Sequence, residues 1–314
     1  MKKDLSDLNI GLVLAGGGAK GAYQVGVYKA LRELEIVENI KVISGTSIGS
    51  INALFFAMDD PKVIKESWTS LNYSRFLLNQ EKTRINSLSK ILEKIKEINI
   101  ESNIFEQIRL SDIGLLSQTG IKNFIEEYID VDIINITNKE IYACAYNLDK
   151  ERPEYFKLND CREDEIKEII LASCAVPHMF KPIIIDGTRY ADGGVQSLLY
   201  SKNNVDNTPI YPMKNYDLDI IIVIHLSYKN TINISGFKDT NIIEIYPSSP
   251  LEIISGIGTI NIKKDTIEHN IELGYRDAMV ILAPIIVNLL KNREIEGLVN
   301  RNKERNKNYL SNLG

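Results

Sequence analysis

Three absences narrow the field before any motif is read. Positive charge is not in excess: 37 Lys and Arg against 42 Asp and Glu leave a net charge of -5, whereas a nucleic-acid binder shows a basic balance. Cysteine is scarce. Cys144, Cys161 and Cys174 form no C-x-x-C pair, the pattern of reduced, mostly buried thiols in an intracellular, cytoplasmic protein. Long apolar runs are missing too. The run at 10–15 is too short for a signal-peptide core and sits behind Asp4 and Asp7. The run at 278–290 is broken by Pro284 and is shorter than a bilayer span. A soluble protein with the option of peripheral membrane contact is expected. The 314 residues, 44% hydrophobic and 25% charged, suit one large α/β domain, alone or with an extension.

What is present centres on residues 41–59, KVISGTSIGSINALFFAMD. Val42 and Ile43 read as the end of a buried strand, Gly45-Thr46-Ser47-Ile48-Gly49 as a G-x-S-x-G turn, and 48–58 as an apolar helix. Strand, sharp turn and helix is the setting in which this pentapeptide exposes a nucleophilic serine. Glycine on both sides suits a strained backbone packed too tightly for a Cβ. Ser47 then stands at a helix N-terminus, where developing negative charge is favoured. A serine in any glycine-flanked turn of an α/β protein is the bland alternative, so its neighbours decide.

Upstream, the strand at 10–15 runs into Gly16-Gly17-Gly18-Ala19-Lys20-Gly21 and then a helix with Tyr23, Val27, Ala30, Leu31 and Leu34 on one face. The glycines satisfy G-x-G-x-x-G, but the second strand ends in Ser44-Gly45-Thr46-Ser47, without the acidic residue a dinucleotide site needs. A phosphate-binding P-loop fails as well, because Ala22 follows Gly21. An anion-binding loop beside a nucleophilic serine remains, and that is an oxyanion hole. Lys20, in the first turn, opposes the helix dipole and so calls for a partner in the loop or on a substrate.

Further along, 84–98 is an amphipathic helix, either core or a lid over the site, and 121–128 a short helix. Strands at 140–146 and 155–158 flank a polar turn. A helix at 163–173 leads to Phe180-Lys181-Pro182, an Asp186-Gly187 hairpin and Asp192-Gly193-Gly194. Strands follow at 220–225 and 242–246, then a long helix at 265–291 and a polar tail at 300–312 expected to fray. Strands alternating with helices imply a mostly parallel sheet covered on both faces.

The order and spacing of GGGAKG, GTSIG and Asp192-Gly193-Gly194 resemble the patatin-like phospholipase family. So do ASCAVPHMFKP, Asn207-x-Pro209, the strand DLDIIIVIHL and Gly274-Tyr275-x-Asp277. The likeness covers 9–230 well and fades toward 280, with 196–205 standing out as an insertion. It implies a three-layer α/β/α fold with a mostly parallel central sheet, a catalytic domain at 9–230 and a helical C-terminal extension at 231–314. It also implies a serine–aspartate dyad without histidine: Ser47 as nucleophile, Asp192 as general base, and the N–H groups of Gly16, Gly17 and Gly18 as oxyanion hole, with Lys20 at the family's basic position. The implied substrate is a phospholipid or lysophospholipid ester, with no metal or organic cofactor. Two readings compete. An ordinary α/β-hydrolase would use Ser47, Asp192 and His225 in that chain order, although His225 closes an apolar strand, His178 follows a proline and His269 lies in a helix. A non-catalytic lipid-binding protein on the same fold is the other.

Overall fold

The computed structural model describes residues 7–71, 118–177, 180–194, 205–228, 232–237, 240–251, 263–291 and 293–311. The helix expected at 84–98, nearly all of the 196–205 insertion and His178 lie outside these residues. The described elements are β1 (Ile10–Leu14), α1 (Ala22–Glu33), β2 (Ile40–Thr46), α2 (Ile48–Met58), α3 (Pro61–Thr69), α4 (Gln118–Tyr128), α5 (Asp132–Ile136), β3 (Glu140–Asn147), β4 (Arg152–Lys157), α6 (Glu163–Ser173), β5 (Ile183–Ile185), β6 (Thr188–Asp192), β7 (Ile220–Ile224), β8 (Asn241–Ile245), α7 (Lys264–Leu290) and α8 (Glu296–Ser311).

The eight strands form one sheet in the order β5-β6-β3-β2-β1-β7-β8, with β4 also paired to β3. β3, β2, β1, β7 and β8 run parallel, while β4, β6 and β5 join antiparallel. β1 and β7, at the centre of the sheet, carry no polar side chain, as parallel strands buried on both faces require. Successive side chains go to opposite faces. Leu12, Leu14, Ile220, Ile222 and Ile224 face the larger core under the helices. Val13, Ile221 and Val223 face a smaller core, closed by Ile210, Met213 and Leu218 around the short helix Tyr211–Asn215. The result is a three-layer α/β fold with a thick helical layer on one face and a thinner one on the other.

The described residues after 230 are built into this fold. β8 extends the sheet, and α7 packs along α1 through two glycines. A Cβ on Gly26 would lie 1.9 Å from the Ile271 carbonyl oxygen, and one on Gly274 would lie 2.0 Å from that of Tyr23. No side chain fits between backbones this close. Tyr23 Oη donates to Asp277 Oδ2 at 3.0 Å across the same seam, which gives Gly274-Tyr275-x-Asp277 a packing role. Two expectations are corrected here. The apolar stretch at 278–290 is the end of a 27-residue helix that is long and apolar enough to cross a membrane by length and composition, yet one side of it packs on α1. The tail does not fray at 300–311 but forms α8, because Asn302 and Asn306, one turn apart, both donate to the Glu244 carbonyl, at 2.8 and 3.0 Å. This caps the edge strand β8. The docking face of α8 is made of the amides of Asn302 and Asn306 as well as Val299, with Ile295 just ahead of the helix, so an apolar count alone misses it.

Candidate active site

Strand pairing brings the predicted residues to one place. β4 occupies one edge of β3 along Tyr142–Asn147, which leaves the other edge for both β2 and β6. β2 ends there with Thr46 opposite Cys144, and β6 arrives from the opposite direction with Asp192 opposite Ala145. Ser47 and Asp192 therefore meet end to end along a single strand edge.

The turn that presents Ser47 is strained. Its φ and ψ are 56° and -126°, a region costly for a residue with a Cβ. Both flanking glycines are needed: a Cβ on Gly45 would lie 2.2 Å from the Gly49 carbonyl, and one on Gly49 would lie 2.3 Å from the Leu14 carbonyl oxygen. Ser47 is 8% exposed and Asp192 1%. Asp192 Oδ1 accepts from the Gly194 N–H at 2.9 Å, and the Asp192 N–H donates to Ala175 O at 3.0 Å.

The segment after α6 sits between the two. The Ser47 N–H donates to Ser173 Oγ at 2.8 Å, and Ser173 Oγ donates to the Cys144 carbonyl at 2.7 Å. One buried hydroxyl thus ties the serine turn to β3. Burial, then the charge of Asp192, holds the neighbouring Cys174 thiol well above its usual range, while hydrogen bonds to Ser50 and Ser47 act the other way.

The glycine loop lies on the other side of Ser47. A Cβ on Gly16 would come within 3.2 Å of Ser47 Cβ. The Gly16 N–H, however, donates to Asn207 O at 3.0 Å, and Asn207 Nδ2 donates back to Gly16 O at 3.2 Å. Gly16 is therefore not available as an oxyanion donor, which corrects the expectation that all three glycines serve. The N–H groups of Gly17 and Gly18 have no acceptor among the described residues. Gly18 has φ 57°, a left-handed conformation that turns its amide away from the path of β1. Lys20 lies in the short Gly18–Gly21 helix ahead of α1, its aliphatic stem against Gly17.

Two supports go beyond the sequence reading, in which Asn207-x-Pro209 is only a point of likeness. Asn207 stands between the glycine loop and the Asp192 turn: a Cβ on Gly194 would lie 1.9 Å from Asn207 Oδ1. The strand before Ser47 holds this segment in place, with Ser44 Oγ donating to Pro209 O at 2.7 Å and Thr46 Oγ1 to Asp206 O at 2.8 Å. Behind the loop runs a buried amide chain. Gln24 Nε2 donates to Ala15 O, Asn52 Nδ2 to Gln24 Oε1, both at 2.8 Å, and Trp68 Nε1 to Asn52 Oδ1 at 3.1 Å. It locks α1 to α2, the two helices whose N-termini face the site. Buried polar residues inside apolar helical runs were its only visible signal.

His225 points elsewhere. It is fully buried, its Nε2 lies 2.9 Å from Glu244 Oε2 on β8, and its ring stacks on Tyr246 at 3.9 Å. Its Nδ1 has no partner among the described residues. A Ser47–Asp192–His225 triad does not form, because β7 and β8 lie on the far side of β1 from β2 and β6. His269 sits on an exposed position of α7. Among the described residues no group of three or more His, Cys, Asp or Glu side chains is arranged to hold a metal.

A strained serine at a strand-to-helix turn, two loop amides without an acceptor among the described residues and a buried aspartate place the chain in the class of α/β proteins that carry a G-x-S-x-G turn. Within it, the chain belongs to the patatin-like phospholipase family, a family of lipid ester hydrolases, whose model matches residues 12–210. It is 25% identical over 240 residues to the lysophospholipase nte1 of Aspergillus terreus, covering 76% of this chain but 13% of that protein. It is 26% identical over 244 residues to the uncharacterized protein R571 of Acanthamoeba polyphaga mimivirus, covering 73% of this chain and 68% of the viral one. The chain thus spans a small fraction of the length of the fungal proteins it matches. Among solved structures, human GIVD cytosolic phospholipase A2 in complex with methyl gamma-linolenyl fluorophosphonate aligns with TM-score 0.49 and 12% identity, over 93% of this chain and 60% of that one. VipD from Legionella pneumophila aligns with TM-score 0.47 and 16% identity, over 96% and 75%.

Proposed function

We propose that this chain is a lipid acyl hydrolase that cleaves a carboxylic ester of a phospholipid or lysophospholipid through an acyl-Ser47 intermediate, with Asp192 as general base. The observation that carries the proposal is the delivery of Ser47 and Asp192 to one edge of β3. A serine hydroxyl needs a base within reach to attack at neutral pH, and a carboxylate held directly against it serves that role. Asp192 takes the Oγ proton as Oγ attacks the ester carbonyl. The carbonyl oxygen gains negative charge and is met by the Gly17 and Gly18 N–H groups; removing one such donor in comparable sites costs about 3–4 kcal/mol of barrier. The proton passes to the leaving alkoxide, and the lysolipid or glycerol headgroup departs. Water, deprotonated by Asp192, then hydrolyses the acyl-enzyme and restores Ser47. The Ser47 turn at the N-terminus of α2 adds a favourable dipole. Every step uses this chain's own side chains and backbone.

Lysolipid is the substrate suggested by the fungal relatives' name, and the reduced thiols fit a cytoplasmic enzyme working at a membrane surface. A fluorophosphonate probe tests the chemistry: Ser47 should be labelled covalently, and Asp192→Asn should label far more slowly. A folded protein whose Ser47 does not react would establish the non-catalytic lipid-binding reading instead. Mass spectrometry of products from a mixed lipid extract then separates lysolipid from diacyl substrates.

A further inference from the structure

α7 changes character along a single face. Its first half exposes Lys264, Asp265, Glu268, His269, Glu272 and Arg276, an ordinary solvated surface. From there the same face turns apolar: Val280 is 65% exposed, Val287 45% and Leu290 64%, with exposed Pro284 between them. At 100° per residue these four positions lie on one stripe. The opposite side, with Ile281, Leu282, Ile285 and Ile286, is buried, so the stripe is not a misplaced core face.

Its place in the molecule indicates what it meets. Helical side chains lean toward their own N-terminus. Tyr23, early in α1, reaches Asp277, while Tyr275 reaches Glu33 at the end of α1, so α1 and α7 run antiparallel. α1 starts at the glycine loop and leads away from the site; α7 therefore leads back toward it and packs on the Gly18–Gly21 turn and on α3. From Gly274, which crosses α1 at Tyr23, to Leu290 the helix rises about 24 Å, whereas from Tyr23 back to Gly18 the chain rises less than about 10 Å. The apolar stripe thus begins where α7 draws level with the glycine loop and continues past it, at the end of the sheet that carries Ser47.

We propose that the C-terminal half of α7 docks this chain on a lipid surface, with Val280, Pro284, Val287 and Leu290 entering the headgroup boundary and the exposed Arg276 and Lys291 at either end of the stripe meeting lipid phosphates. Exposed apolar side chains lower their free energy by entering the acyl boundary, and cations at their ends are attracted to anionic headgroups. Lying in the surface, it sets the mouth of the site against the layer from which a lipid ester must be drawn. The proposal rests on the lipid-hydrolase reading for its purpose, but not for its test.

The test uses the full chain carrying Ser47→Ala, which cannot consume the lipid, and phosphatidylcholine vesicles with and without phosphatidylglycerol. Val280→Ser, Val287→Ser and Leu290→Ser together should lower vesicle partition at least tenfold, about 1.4 kcal/mol. Phosphatidylglycerol should strengthen binding of the unsubstituted face, and salt should reverse that gain. In the chain with Ser47 intact, the triple variant should lose activity on vesicles while keeping hydrolysis of a soluble short-chain ester. Failure of the soluble assay would sink the hydrolase reading alone; unchanged vesicle partition would sink the docking face alone. Should the triple variant instead turn a dimer into a monomer with partition preserved, the stripe is a contact between copies and the proposal is wrong. If the triple variant does not fold, an environment-sensitive fluorophore on Val287→Cys decides: its emission should shift to the blue on adding vesicles, and no shift overturns the proposal.

Discussion

Two buried clusters stand at the C-terminal ends of the parallel strands, and they are assembled differently. On the β7–β8 side, His225, Glu244 and Tyr246 form a closed group, hydrogen-bonded and stacked, with His225 wholly buried. On the β2–β3–β6 side, Ser47 and Asp192 meet where β2 hands the edge of β3 to β6, ringed by a strained turn, a glycine loop and the Asn207 bracket. By residue type the first cluster looks more catalytic, since a histidine against a carboxylate is the familiar relay. Topology keeps that pair away from the serine, because β1 lies between His225 and the strand that carries Ser47. Which groups can act together depends on the strand edges they reach, and residue type comes second.

The sharpest way to break this comparison is to neutralise the serine side. Asp192→Asn keeps the side chain's shape and removes its charge, so the fold should survive while acylation falls by about 10²–10⁴. Ser47→Ala should cost at least as much, and the double variant no more than Ser47→Ala alone, since groups acting as one unit fail together. Near-normal ester hydrolysis by Asp192→Asn between about pH 6 and 9 would remove the base role from Asp192.

Next in size is the hydroxyl that ties the elbow down. Ser173→Ala leaves the Ser47 N–H and the Cys144 carbonyl without their bridge. Each buried polar group so stranded costs about 1–3 kcal/mol. The expected signature is a kcat reduced about tenfold or more with KM little changed, because the nucleophile loses its fixed turn while the binding surface stays. A lower melting temperature with unaltered kcat would reduce Ser173 to a packing residue.

The histidine side should respond in the opposite sense. His225→Gln is expected to leave turnover within about tenfold, a barrier change near 1.4 kcal/mol, while lowering stability by about 3 kcal/mol as Glu244 loses its buried partner. A collapse of activity in a folded His225→Gln protein would return the histidine to the mechanism.

The smallest effect is one of pH. Burial pushes the Glu244 carboxyl up, but the hydrogen bond and charge of His225, helped by Tyr246 and Lys303, leave it below the ordinary glutamate value of 4.5. A carboxyl lowered by folding stabilises the native state above its unfolded value, and that contribution is lost as pH falls through the folded value. Denaturant midpoints of the wild type should therefore decline below about pH 4.5, and Glu244→Gln should flatten that part of the profile. An unchanged acid slope would show that the Glu244 shift contributes nothing.

Much of the site was legible because its parts are local. The elbow declares itself in five residues, since Gly45 and Gly49 must both lack a Cβ for strand and helix to close around Ser47, and the Gly16–Gly18 run ends a strand and opens a helix in the same way. Strands and helices followed from apolar period and turn residues, down to the bounds of α6. What the sequence by itself determined is thus the set of local backbone geometries, each dictated by sterics within a few residues. Tertiary structure decided which of those pieces face one another. It spent the Gly16 amide on Asn207, some 190 residues away, turned His225 toward β8, recruited Ser173 to hold the Ser47 turn, and folded the polar tail into α8 against the Glu244 carbonyl. Those outcomes depend on hydrogen bonds between segments far apart in the chain, where every polar group has many possible partners and only the packed sheet selects one.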